Sequence, residues 1–259
     1  MHDHDRGLSH DLPLLTRRRA LGAMTGGIGL LIAGCGSSGD GASATPTATS
    51  GGGDSVPEET AGPFPGDGSN GPNVLTESGV VRRDITRSFG DATGVAEGVP
   101  TTLELTLLDV AGGGGTLAGA AVYVWHCDIA GRYSLYDDAV ASENYLRGVQ
   151  ESDADGKLAF ETIFPAAYSG RWPHIHFEVY ENLEAATAAS SKLRTSQIAL
   201  PQDVCDRVFA TSGYEQSVEN LGQTSLDGDM VFSDGYASQL AKASGDVERG
   251  ITLSLNVGV

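Results

Sequence analysis

The chain has 259 residues and a formal net charge of −18, from 34 acidic against 16 basic side chains. That length suits one ordinary domain with appendages, and the acidity argues against a nucleic-acid partner, whose phosphates would be repelled. The 36 glycines are about twice the usual share and point to many turns and little helix.

Residues 1–34 read as an export signal. Thr16-Arg17-Arg18-Arg19-Ala20-Leu21-Gly22 resembles a twin-arginine signal, a route that carries folded proteins, and the apolar stretch Ala23–Ala33 is too short for a permanent bilayer span. Leu31-Ile32-Ala33-Gly34-Cys35 looks like a lipobox, so cleavage before Cys35 would leave its thiol for a diacylglyceryl group. The alternative is a plain signal peptide that happens to contain a cysteine. Gly36–Asp54 is almost wholly Gly, Ser, Ala, Thr and Pro, a flexible tether of roughly 25 Å r.m.s. span. The expected organisation is therefore a signal over 1–34, a lipidated cysteine and linker over 35–55, and a folded domain over 56–259. The expected location is the outward face of the cell envelope, or secretion, with membrane contact only through the lipid.

Within the domain, short apolar runs alternate with glycine turns at Thr101–Val110, Ala120–His126, Lys157–Ile163, His174–Tyr180, Gln197–Leu200 and Ile251–Val257. This pattern predicts an all-β fold: an antiparallel β-sandwich with long loops and little helix. Asp153-Ala154-Asp155-Gly156 reads as a hairpin turn, since the other ligands of a calcium loop are missing. Helical pattern is confined to Leu183–Ser190 and Gln202–Ala210, the second with Val204, Val208 and Phe209 inward. Cys127 and Cys205 would form either a disulfide, which an exported protein allows, or two separate buried thiols.

The densest chemistry lies in Tyr168-Ser169-Gly170-Arg171-Trp172-Pro173-His174-Ile175-His176. After its proline the segment alternates like a strand, so His174, His176 and Glu178 share one face and Ile175, Phe177 and Val179 the other. Two histidines at i and i+2 have Cα atoms about 6.5 Å apart, close enough to converge on one ion. A further phenol, Tyr133, follows the apolar run ending Val124-Trp125-His126-Cys127 and a glycine turn at Gly131. Two tyrosines with two histidines suit ferric iron, a hard cation that lowers the phenol pKa and holds tyrosinate at neutral pH. Zinc would more often select Cys and His. An iron(II) site with two histidines and a carboxylate would have to recruit Glu178.

These residues carry a resemblance. Leu117–Asp137, Tyr145–Pro165 and Tyr168–His176, preceded by Glu59-Thr60-Ala61-Gly62-Pro63-Phe64-Pro65 and Val80–Ile85, resemble the intradiol ring-cleavage dioxygenases of the catechol and protocatechuate class. The likeness spans most of Val56–Gln202 and fades beyond. It implies a non-haem Fe(III) held by Tyr133, Tyr168, His174 and His176, with Tyr168 and His176 axial, and Tyr168 doubling as a base. It also implies active-site roles for Arg171, as a stabiliser of negative charge, and for Gln197. The implied reaction inserts O2 between the two hydroxylated carbons of a catechol-type substrate, giving a muconate-type diacid. Two departures, Ala166-Ala167 before the second tyrosine and the bulky Trp172, would reshape the substrate mouth. Arg82, Arg83 and Arg147 are candidates for binding a ring carboxylate, each set against a surface or loop ion pair. Two rival functions stand beside this one: a lipid-anchored, non-catalytic binding module on the same sandwich, and another His-based metalloenzyme using His174, His176 and Glu178. The particular catechol and the oligomeric state are not legible.

Overall fold

A computed structural model describes residues 55–259. The signal, the Cys35 lipobox and the tether over Gly36–Asp54 lie outside the described residues. One sheet contains β1 (Pro100–Asp109), β2 (Gly115–Thr116), β5 (Lys157–Ile163), β8 (Lys242–Asp246) and β9 (Gly250–Gly258). The other contains β3 (Ala121–Trp125), β4 (Arg147–Glu151), β6 (His174–Tyr180) and β7 (Arg194–Ala199), in the order β4-β3-β6-β7. Three short helices, α1 (Leu183–Thr187), α2 (Gln202–Phe209) and α3 (Glu215–Leu221), follow the chain between β6 and β8.

The sandwich is as expected, with one exception in pairing. β1 and β9 run parallel, from Thr101↔Ile251 to Leu108↔Gly258, which only a long connection between them permits. Asp153–Gly156 is a tight turn but does not close a hairpin, because β4 and β5 belong to different sheets. Asp153 Oδ1 accepts from the backbone N–H groups of Asp155 at 2.9 Å and Lys157 at 2.8 Å. The turn thus carries the chain from one layer to the other.

Period-2 alternation explains both layers. Leu103, Leu105 and Leu107 of β1, Phe160 of β5 and Leu253 of β9 meet Val122 and Val124 of β3, Ile175, Phe177 and Val179 of β6, and Ile198 of β7. Each such side chain contributes roughly 1.5–3 kcal/mol by leaving water. The opposite residues of β3 and β6 are also buried, so all seven side chains of β6 are covered. A second apolar cluster containing Tyr123, Trp125, Tyr133 and Tyr180 lies on that outer face, with Phe64 packed against it. There the register aligns Trp125, His176 and Gln197 side by side across three strands.

A strap formed by Thr60–Gly66 crosses this face and is pinned by Arg147. The Arg147 guanidinium donates to the carbonyls of Pro65 (2.8 Å), Phe64 (3.0 Å) and Ser134 (2.9 Å), and to Ser134 Oγ (3.0 Å) and Tyr123 Oη (3.1 Å). Arg147 is therefore a buried structural hub, neither a surface ion pair nor a free partner for a carboxylate.

Candidate metal centre

Three segments bring the polar cluster together. Beyond β3, Asp128 Oδ1 accepts from the N–H groups of Ala130 (2.9 Å) and Arg132 (3.0 Å), folding the chain back so that Tyr133 points inward. Gly131 at the bend has φ +78°, and a Cβ there would lie 3.1 Å from Tyr168 Cβ, so both conformation and space require glycine. Tyr168 is reached from β5 through Ala166-Ala167, which is tied to α3: Ala167 N–H donates to Ser217 Oγ at 3.1 Å and Asn220 Nδ2 donates to Ala167 O at 2.8 Å. β6 then begins at His174, immediately after Pro173.

The four side chains form one contiguous group. Tyr168 Oη lies 3.1 Å from His174 Nε2, and His174 Nε2 lies 3.0 Å from His176 Nε2. The Tyr133 ring stands 6.0 Å from Tyr168 and 6.1 Å from His176. Trp125 stacks on His176 at 4.9 Å and 6°, and Gly62 of the strap approaches so closely that a Cβ would sit 3.3 Å from His176 Cε1. Water is thereby kept from two sides of the cluster.

The hydrogen bonds of this group do not close among the described side chains. His174 Nδ1–H donates to Trp172 O at 2.5 Å, which turns the Nε2 lone pair toward Tyr168 and His176. Tyr133 Oη and His176 Nδ1 are buried without partners among the described residues. If His176 carries its proton on Nδ1, two imidazole lone pairs face each other across 3.0 Å; if on Nε2, Nδ1 is a buried acceptor without a donor. Burial holds both imidazoles neutral: His174 is pushed down to about 3, with the Arg171 charge adding to burial, and His176 lies well below its ordinary value. Burial likewise pushes Tyr168 up to about 12 and Tyr133 well above the ordinary phenol. A cation at the point of convergence would take the lone pairs of Tyr133 Oη, Tyr168 Oη, His174 Nε2 and His176 Nε2 and draw both phenols to phenolate. No group of three or more His, Cys, Asp or Glu among the described residues could hold a metal, so the mixed phenol and imidazole set is the candidate. Its hard oxygens fit ferric iron.

Arg171 and Gln197 lie beside the cluster. Arg171 Nη2 donates to Gln197 Oε1 at 2.7 Å, and Gln197 Nε2 donates to Thr60 O of the strap at 2.9 Å. Asp229, which sequence reasoning missed, grips the same guanidinium: Nε donates to Oδ2 at 2.9 Å and Nη2 to Oδ1 at 3.3 Å. Burial alone would push the Asp229 carboxyl up, but the Arg171 charge and backbone N–H bonds outweigh it and hold the group below its ordinary value. The only signal for Asp229 in the sequence is a carboxylate set against Met230-Val231-Phe232.

Other candidates are placed elsewhere. Glu178 points the same way as the histidines but accepts from Lys192 Nζ at 2.5 Å and from Tyr180 Oη at 2.7 Å. It is thus spent on an ion pair and is no ligand candidate. His126 is saturated by Cys127 O (2.9 Å) and Thr162 Oγ1 (2.7 Å). Trp172 does not face the mouth; it is buried in the inter-sheet core and its Nε1 donates to Leu200 O at 2.8 Å. Arg82 donates to the carbonyls of Arg147 and Asn144, and Arg83 pairs with Glu161 at the surface. Cys127 and Cys205 are free buried thiols in separate apolar clusters.

Comparison with known proteins finds dioxygenases. Residues 70–174 match the family Dioxygenase_C, described as Dioxygenase, a stretch that holds Tyr133, Tyr168, Arg171 and His174 and stops short of His176, Gln197 and Asp229. A segment of 56 residues is 41% identical to catechol 1,2-dioxygenase 1 of Acinetobacter lwoffii, covering 21% of this chain and 18% of that protein. The chain therefore spans under a fifth of that curated relative. The fold is similar to that of an intradiol ring-cleavage dioxygenase from Tetranychus urticae, with TM-score 0.61 and 22% identity over 79% of this chain and 94% of that one. It is also similar to the dioxygenase domain of a dioxygenase carbohydrate-binding protein fusion from Streptomyces sp. SirexAA-E, with TM-score 0.50 and 20% identity over 80% and 98% of the two chains.

Proposed function

We propose that the chain is a non-haem iron(III) dioxygenase that opens catechol-type rings between the two hydroxylated carbons with O2, giving muconate-type diacids. The observation that carries this reading is the convergence of Tyr133, Tyr168, His174 and His176 on one buried point where their hydrogen bonds do not balance. Ferric iron held by those four side chains would supply the Lewis acidity that makes a bound catecholate reactive toward O2.

The chain's own residues supply the rest. Tyr168 is less buried than Tyr133, and as the tyrosinate that bound iron would maintain, it would be the base that takes a proton from an incoming substrate hydroxyl. Arg171, buried and fixed by two partners, presents a positive charge where the ring becomes anionic, and a charge in a dry, preorganised site acts far more strongly than one in water. Trp125, Phe64 and the strap exclude solvent from the cluster.

Loading the metal-free domain with ferric iron is expected to give a visible tyrosinate charge-transfer band, and catechol with O2 should yield a diacid cleaved between the oxygenated carbons. Arg171→Ala should keep the band and lower turnover by about 100-fold or more. Absence of the band, or a semialdehyde product by mass spectrometry, would overturn the reading. We further propose an exported, lipid-anchored form, supported by Arg17-Arg18 and the Leu31–Cys35 motif. Cys35→Ala should release the protein or leave it unprocessed; membrane retention at normal size would exclude the anchor.

A further inference from the structure

We propose that Asp229 is the positioning residue for the Arg171 guanidinium, acting through that side chain without touching substrate. The inference rests on the ring-cleavage reading above and goes beyond it by giving a task to the C-terminal quarter of the domain.

An arginine side chain has several free torsions, so an unheld guanidinium would spread its charge over many positions and lose most of its effect on a developing anion. Asp229 removes that freedom. Its carboxylate is itself immobile: Oδ2 accepts from Trp172 N–H at 2.7 Å, and Oδ1 from Val231 N–H at 2.8 Å and Phe232 N–H at 3.3 Å. Anchored by three backbone donors, it then takes Nε and Nη2 of Arg171 along one edge of the guanidinium, the geometry in which Arg and carboxylate recognise each other best. Gln197 fixes Nη2 from a second direction. Arg171 Nη1 makes no hydrogen bond among the described residues and is the nitrogen left for substrate.

The position of Asp229 in the fold also fits a task at the site. It follows a 3-10 turn at Leu226–Gly228, 58 residues along the chain from its guanidinium partner. The carboxylate bridges this segment to the backbone just before β6, so one group sets both the charge and the approach to the histidine strand.

The test is a double-mutant cycle on the iron-loaded protein with catechol and O2. Asp229→Asn keeps the shape but removes the charge and one acceptor oxygen, and should retain the visible band while lowering kcat about tenfold or more with KM little changed. In an Arg171→Ala background the same substitution should change kcat by less than about twofold, because its whole effect passes through Arg171. Equal losses with and without Arg171, or a wild-type rate in Asp229→Asn, would overturn the proposal. A second readout needs neither iron nor turnover: solvent exchange of the Arg171 Nε–H, followed by NMR, should be slow in the wild type and much faster in Asp229→Asn. Unchanged exchange would also overturn it. Should the Asn variant not fold, Asp229→Glu, which keeps the charge but shifts it by one methylene, should show the same loss and the same dependence on Arg171. If the wild type fails to cleave catechol, the ring-cleavage reading falls by itself, while the exchange measurement still decides whether Asp229 holds Arg171.

Discussion

Tyr133 and Tyr168 are both phenols, yet their hydroxyls live under different conditions. Tyr168 Oη has His174 Nε2 at 3.1 Å, whereas Tyr133 Oη is buried without a partner. A buried hydroxyl left unsatisfied costs about 1–3 kcal/mol. Tyr133→Phe is therefore expected to leave the metal-free domain as stable as the wild type or about 1 kcal/mol more stable, while sharply weakening ferric iron retention and bleaching the visible band. A packing tyrosine would show neither gain nor spectral loss, and an unchanged spectrum would sink the four-ligand arrangement. Urea melts of the metal-free protein and an iron titration measure the two halves separately.

At the scale of elements, the strap over Thr60–Gly66 is what turns an exposed sheet face into an enclosed site, and Arg147 holds it by bonds to Phe64 and Pro65 carbonyls. Arg147→Met keeps the volume but strands those acceptors, so a loss of about 3 kcal/mol or more is expected, with proteolytic cleavage moving to residues near Pro65. Retention of wild-type stability and protease resistance would show that the strap is held by packing alone. β6 was legible to the residue, because alternating His174, His176 and Glu178 with Ile175, Phe177 and Val179 carries a period that only a strand satisfies. β4 was not, since Arg147-Gly148-Val149-Gln150-Glu151 has no alternation and owes its place to pairing with β3. β8 and α3 were missed for the same reason: Lys242-Ala243-Ser244-Gly245-Asp246 is a polar edge, and tertiary contact fixes it. The four candidate ligands could be picked out because they cluster in one motif and its glycine-turn counterpart. Asp229 was not, because its partner lies 58 residues away and nothing local marks it.

For the molecule as a whole, three buried histidines set the response to acid. His126 is pushed down to about 4 by burial, His174 to about 3 and His176 well below its ordinary value. Folded pKa values below the unfolded 6.5 mean that the unfolded chain binds more protons in this window. Stability is then present in full above pH 6.5 and is lost as pH falls toward the folded values. His126 alone accounts for on the order of 3 kcal/mol between pH 6.5 and about 4. Asp67 and Asp229, with folded values below the ordinary 3.8, add their losses only at still lower pH. Urea unfolding of the metal-free domain should show a steep fall in stability from pH 6.5 to 4, and His126→Asn, which keeps a donor for Cys127 O, should flatten it by about one proton; an unaltered slope would place the uptake elsewhere. A different consequence follows from the pairing of Ser55 with Gly258, where Val56 N–H donates to Gly258 O at 3.0 Å. The beginning of the segment that leads into the strap is zipped to the far end of the last described strand, and β1 is flanked on both sides only when β9 is in place. During synthesis, a chain complete through β7 already holds both phenols and both imidazoles, but neither the clamp on Arg171 nor the latch beneath the strap. Arg147 and Gln197 can draw the strap across as soon as β7 is made, whereas the Asp229 grip on Arg171 and the pairing at Ser55 wait for segments synthesised later.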